Sequence, residues 1–125
     1  MARVTQRVDP DALVDLLERP ARAAIAFPRG ASVEPVPVAY LRSEGHDLVG
    51  LGREWLPPEG APERAVLLLD DGRYWFELRA VTMRGRLGPS SAPPPGSEPH
   101  FVWFEFTPDR TVAWDYGALR EEDGA

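Results

Sequence analysis

Two histidines, a pair of adjacent aspartates, an acid–arginine pair and four tryptophans are the residues here whose types invite chemistry. His46 and His100 are the only histidines, lie far apart and sit beside turn residues. With no cysteine to join them, they make no metal-ligand spacing, and structural or solvent-exposed roles are expected. Asp70 and Asp71 precede Gly72, where a turn is the expected task. Glu77 and Arg79 are two apart on one strand face, which suggests an ion pair at a barrel wall or subunit interface. The serines cluster in turns and in a proline-rich loop, and none stands in a nucleophile elbow. "GLGREW" (50–55) begins like a dinucleotide fingerprint, but Trp55 replaces the third glycine and prolines follow where a helix is needed. Trp55, Trp75, Trp103 and Trp114 fit either packing or a stacking wall for a flat ligand.

All 14 basic residues are arginine. Without lysine there is no Schiff base for pyridoxal phosphate and no phosphate-loop lysine. The chain thus supplies no self-contained nucleophile or acid–base set. If it is an enzyme, the reactive atoms belong to a bound cofactor, and the protein supplies pocket, orientation and charge. Twenty acids against those arginines leave a net charge of −6, a poor balance for nucleic acid or anionic membrane, and nothing in the sequence concentrates a basic patch. The N-terminal stretch lacks the apolar core of a signal peptide, and no apolar run is long enough to span a bilayer; a cytoplasmic protein is expected.

The elements that must position these residues read as one domain over 1–125. A short amphipathic helix over 8–20 has Asp9 as cap, Pro10 in the first helical position, Leu13, Leu16 and Leu17 on one face, and Pro20 as its stop. Strands follow at 23–27, 33–41, 48–52 and 65–70. In 33–41, Val36, Val38 and Tyr40 share one face and Pro35 and Pro37 the other, which suggests an edge or a bulge. Asp71-Gly72 signals a two-residue hairpin into a long central strand running to Leu87, with Tyr74, Phe76 and Leu78 towards the core. Residues 53–64 form a proline-rich loop, 88–99 a second, 100–106 and 111–116 a hairpin around "TPDR", and 118–125 a polar tail. About seven strands with one helix make an all-β chain. A closed or nearly closed antiparallel barrel is expected, with a sandwich as the competing architecture.

The ordered set resembles the pyridoxamine 5′-phosphate oxidase-like flavin-binding split barrels over about residues 9–120. The resemblance lies in the opening helix and strand, the Pro37-Val38-Tyr40 pattern, the hairpin whose second strand ends in Arg84-Gly85, and the closing run Trp114-Asp115-Tyr116-Gly117. It implies an antiparallel split β-barrel of Greek-key type, a homodimer, and two sites between subunits for FMN or the related deazaflavin coenzyme. The ring would rest against Pro37, Val38 and Tyr40, with backbone N–H groups at its polar edge, Gly52 beside it and Trp114 as stacking or interface partner. The phosphate would fall to Arg53 and, across the loop, Arg64. "REWLPPEGAPER" (53–64) departs from the family's arginine-lysine segment there, which leaves Arg79, Arg84 and Arg86 as substitutes. Three functions follow: a flavin- or deazaflavin-dependent redox protein, a cofactor-free dimeric split barrel with a binding or structural role, or a small barrel holding an apolar ligand.

Overall fold

A computed structural model describes residues 7–29, 31–57, 64–90, 94, 96 and 98–116. The eight strands are β1 (Arg7–Val8), β2 (Arg22–Arg29), β3 (Ser32–Pro37), β4 (Ala39–Ser43), β5 (His46–Gly52), β6 (Ala65–Asp71), β7 (Arg79–Pro89) and β8 (Phe101–Asp115). They form one antiparallel sheet in the order β3-β2-β6-β7-β8-β5-β4, with β1 paired to β8. Its first and last strands, β3 and β4, are two halves of a single stretch bent at Val38. The sheet therefore curls back on itself as a split barrel. β5 lies beside β8 while β6, β7 and β8 follow in sequence, which is the Greek-key arrangement.

The bend follows from the alternation. Val36 is buried, and Val38 and Tyr40 pack against the core, while Pro35 and Pro37 point outward. Val38 N–H donates to Ala23 O at 3.1 Å as the stretch leaves β2 for β5. Ile25, Phe27, Val49, Leu51, Leu67, Leu69, Val81, Met83, Phe106 and Ala113 fill the interior. Each large aliphatic side chain buried there contributes about 1.5–3 kcal/mol.

The helix lies where its pattern puts it, in two pieces. A 3₁₀ turn, Pro10–Leu13, capped by Asp9 accepting from Asp11 N–H at 2.9 Å, runs into α1 (Val14–Glu18). Leu13, Leu16 and Leu17 are buried against the barrel.

Two expected elements are different. Asp71 pairs with Arg79, so the link from β6 to β7 is not a two-residue hairpin but residues 72–78. Gly72 turns the chain at φ 101°, Trp75–Glu77 is a 3₁₀ turn, and the Tyr74 and Phe76 rings stack outside the barrel at 5.4 Å. Tyr74 is exposed, and Val81, Met83 and Leu87 take the core positions of this region. The second difference is at "TPDR", where no hairpin forms. β8 continues through it for 15 residues because β7 offers partners along its whole length.

That continuity needs a bulge. Arg84 faces Arg110 and Gly85 faces Pro108, leaving Asp109 as the extra residue. Proline cannot donate to a ladder and is tolerated at such an irregularity. Gly85 fits because the backbones approach closely; a Cβ there would lie 2.1 Å from Thr107 O. Gly85→Ala is expected to destabilise the fold by about 1–3 kcal/mol, read as a lowered urea midpoint with unchanged slope.

Candidate functional site

Strand register sorts the site residues before any distance does. Along β2, β6, β7 and β8, alternate residues face away from the core, and one transverse row of them runs Pro35–Ala26–Val66–Arg84–Arg110. The next row runs Pro37–Ala24–Leu68–Thr82–Val112. Among the clefts that open on this outer face are two that share Arg84. The larger, about 460 Å³, has Ala26, Pro28, Val33 and Val66 as an apolar wall and Arg64, Arg84, Arg86 and Asp109 as its polar groups. The smaller, about 160 Å³, lies between Arg7, Arg110 and Trp114 and shares Arg84.

Of the residues picked from sequence, Pro37, Gly52 and Arg53 each stand within three residues of the Ala39–Gly50 pair. Ala39 pairs with Gly50, whereas Pro37 pairs with Ala24 of β2 and Gly52 with Phe101 of β8. Pro37 is exposed there. The neighbourhood is already occupied, however. A Cβ on Gly52 would meet the Glu54 carboxylate at 2.8 Å, and one on Gly50 would meet the Trp103 ring at 3.0 Å. Glu54 thus sets a negative charge where a phosphate was expected, while Arg53 is exposed in the 3₁₀ turn Arg53–Trp55. The Val38 N–H is committed to Ala23 and cannot serve a ligand. Trp103 Nε1 is buried with no hydrogen-bond partner among the described residues.

Tyr40 turns inward. Its hydroxyl donates to Asp47, whose side chain is the buried polar group of the core. Burial, reinforced by the Asp47 hydrogen bond and charge, pushes the Tyr40 phenol far above its ordinary value. It is a locked donor rather than a base.

Arg64 and Trp114 lie elsewhere. Arg64 precedes β6 and lines the larger cleft. Trp114 faces outward between Ala80 and Arg7. Pro37 on β3 and Trp114 on β8 are separated along the sheet by β2, β6 and β7.

Arg79 is not a candidate for phosphate. It faces Asp71 across the ladder and reaches Asp15 of α1 at 3.0 Å, so its partner is not Glu77. Hydrogen bonds with Asp71 and Asp15 push its guanidinium further up, and Arg79 in turn holds the Asp15 carboxyl below its usual range. Arg22 is likewise paired with Asp70. His46 bonds to Glu105 at 2.7 Å, and no cluster among the described residues could hold a metal ion.

What the sequence reading missed is the gathering of arginines. Arg7, Arg64, Arg84, Arg86 and Arg110 border the two clefts, and among the described residues none of them forms an ion pair with a carboxylate. The i, i+2 spacing of Arg84 and Arg86 was a visible signal for part of it.

No protein-family model matches the chain, and no curated protein matches it. Solved structures do. A FAD-binding protein from Mycobacterium smegmatis superimposes with a TM-score of 0.66 at 14% identity, over 89% of this chain and 97% of its own. A Corynebacterium glutamicum protein, provisionally assigned as a pyridoxamine 5′-phosphate oxidase, gives 0.68 at 9% identity, over 88% and 96%. The conserved hypothetical protein Rv2991 from Mycobacterium tuberculosis gives 0.68 at 15%, over 96% and 92%. The fold is that of the pyridoxamine 5′-phosphate oxidase-like split barrels. No helix of the described residues is long and apolar enough to cross a membrane.

Removing the Tyr40 hydroxyl leaves a buried Asp47 oxygen without its donor. Tyr40→Phe is expected to cost about 1–3 kcal/mol in urea unfolding. Because folding raises the Tyr40 pKa, its stabilisation is complete below about pH 10, where an unfolded tyrosine stays protonated, and is lost as pH climbs above that. Stability measured between about pH 8 and pH 11 should fall more for the native chain than for Tyr40→Phe.

Proposed function

We propose that this chain binds a flavin-type coenzyme, FMN or a deazaflavin, on the outer face of its barrel and exchanges hydride with a small molecule in the cytoplasm. The supporting observation is the 460 Å³ outer-face cleft, apolar on one wall and cationic at its polar groups, on a fold shared with a FAD-binding protein. Its volume lies within the range of small-ligand sites. When bound, the coenzyme supplies the hydride chemistry, which explains why the chain carries no nucleophile or general-base set of its own.

The residues fit this role unequally. Pro37 is open, and Val33, at the apolar wall, is four positions away on the same strand, about 13 Å. Arg64 borders the cleft. Gly52 and Arg53 fit a phosphate poorly because Glu54 covers the glycine. Val38 and Tyr40 shape the bend from inside.

A homodimer belongs to the same reading. Ala24, Leu68, Val112 and Trp114 are half-buried on the outer face of one chain, and a second copy would cover them. Trp114 could then reach the ring from the partner. The Glu54 carboxylate over Gly52 favours a second reading, a dimeric split barrel without cofactor that serves in binding or structure.

Purified protein is expected to carry flavin or deazaflavin absorption, or to gain it on titration with FMN, FAD or deazaflavin, and to sediment as a dimer. Arg53→Ala should weaken that binding by less than about fivefold, the worth of an exposed charge. A folded protein that takes up none of the three coenzymes establishes the cofactor-free reading instead.

A further inference from the structure

We infer that the corner of the sheet holding Arg64, Arg84 and Arg86 is a phosphate-binding site, and that Asp109 tunes its strength. Val66 pairs with Arg84 and Ala65 with Gly85, so continuing the ladder by one residue sets Arg64 opposite Arg86. On the other side of β7, Arg84 faces Arg110 directly. Directly opposed side chains on neighbouring strands stand about 4.5–5.5 Å apart at Cβ, and like charges so placed repel. One strand therefore meets arginines on both flanks.

Such crowding calls for a counter-charge, and the chain has acids to spare, with 20 against 14 basic residues. It uses them at the other end of the same strands. Asp70, Asp71 and Asp15 satisfy Arg22 and Arg79 there. At this corner Asp109 is the only acidic residue lining the cleft among the described residues, and among them it forms no ion pair with the arginines around it. Arginine forks match phosphate oxygens in pairs and stay charged at every physiological pH. The cleft beside them is large enough for an organic body, against Ala26, Pro28, Val33 and Val66. The chemical class is thus a phosphorylated small molecule with an apolar portion. The bulge carries Asp109 into the cleft next to the arginines, where its charge opposes an incoming anion and keeps the affinity down.

Two sources share this chemistry. One is the phosphate of the coenzyme, and that version rests on the reading of the preceding section. The other is a phosphorylated substrate, and that version does not.

Calorimetric titration of the dimer or monomer as purified separates them, with pyrophosphate, FMN and riboflavin as probes. The variants are Arg84→Gln, the double variant Arg64→Gln/Arg86→Gln, and Asp109→Asn, each checked by thermal unfolding. All four positions are exposed, and if Arg84→Gln fails to fold the double variant decides. Pyrophosphate is expected to bind the native chain and to lose about tenfold or more in affinity in each arginine variant. Asp109→Asn should tighten it about twofold to fivefold, a sign that a merely structural role for Asp109 would not give. FMN binding tenfold or more above riboflavin, with the same arginine dependence, assigns the phosphate to the coenzyme. Arginine-dependent pyrophosphate binding with no flavin binding upholds the phosphate site and discards the flavin reading. FMN and riboflavin binding alike and indifferent to the arginine variants keeps the flavin reading and overturns the site. So does the absence of pyrophosphate binding in the folded native chain.

Discussion

Closure of the sheet through the bend at Val38 is the constraint on which the rest of the molecule depends. The strand path begins in β3 and ends in β4, and these are one stretch of chain. The turn at Val38 carries the stretch from its pairing with β2 to its pairing with β5 and so curls the sheet, while β3 and β4 each keep one unpaired edge. Two prolines sit just before the bend without cost to the sheet. β3 has a neighbour on one side only, so the N–H groups that Pro35 and Pro37 lack can fall on its unpaired edge. The bend also fixes parity, sending Val36, Val38 and Tyr40 inward and the prolines outward. From that choice follows which residues of β2, β6, β7 and β8 form the core and which form the outer face.

Parity then meets charge. At one end of β6 and β7 the arginines are spoken for: Arg79 ties Asp71 on its own hairpin to Asp15 on the helix, and Arg22 holds Asp70 and the Gly72 carbonyl. These links are partly or fully exposed, so each adds little to stability. Their geometric effect is larger, because they fix where β6 ends, where β7 starts and where the helix docks. At the other end the arginines have no such partners among the described residues. Acidic residues dominate the chain as a whole, so chance pairing would more readily have left carboxylates unmatched than arginines. Segregation of this kind separates charges that organise the fold from charges left available to a ligand.

How much of this was legible in the sequence depends on whether the signal was local. The Asp9 cap, the leucine face of the helix and the alternation of 33–41 are read from neighbouring residues, and the structure keeps them all. The aromatic alternation of Tyr74 and Phe76 imitated a strand, and only the distant pairing of Asp71 with Arg79 makes 72–78 a loop. "TPDR" has every mark of a turn, yet the 11 residues of β7 supply hydrogen-bond partners that carry β8 straight through it. Misreading that turn hid the arginine face. With Arg110 assigned to a loop, its position opposite Arg84 could not be seen, and Arg64 seemed to belong with Arg53 across a loop rather than with Arg84 and Arg86. Glu54 over Gly52 was equally invisible, since a short 3₁₀ turn brings the carboxylate back onto its own strand.

The bulge of β8 links the two halves of the problem. Without the extra residue, Asp109 would take a place in the ladder and the residues after it would change face. Ala113 would then leave the core and Trp114 the surface. With it, both the inward run to Phe106 and the inward Ala113 are kept on one strand, although an even alternation would not allow both. Gly85 permits the close backbone approach that the bulge requires, and it stands between Arg84 and Arg86 in sequence. The glycine that keeps the core in register therefore also holds the two arginines on the same outer face, where Asp109 lines the cleft with them. A side chain at that glycine would disturb packing and cleft together, so at this corner stability and binding are properties of one backbone irregularity.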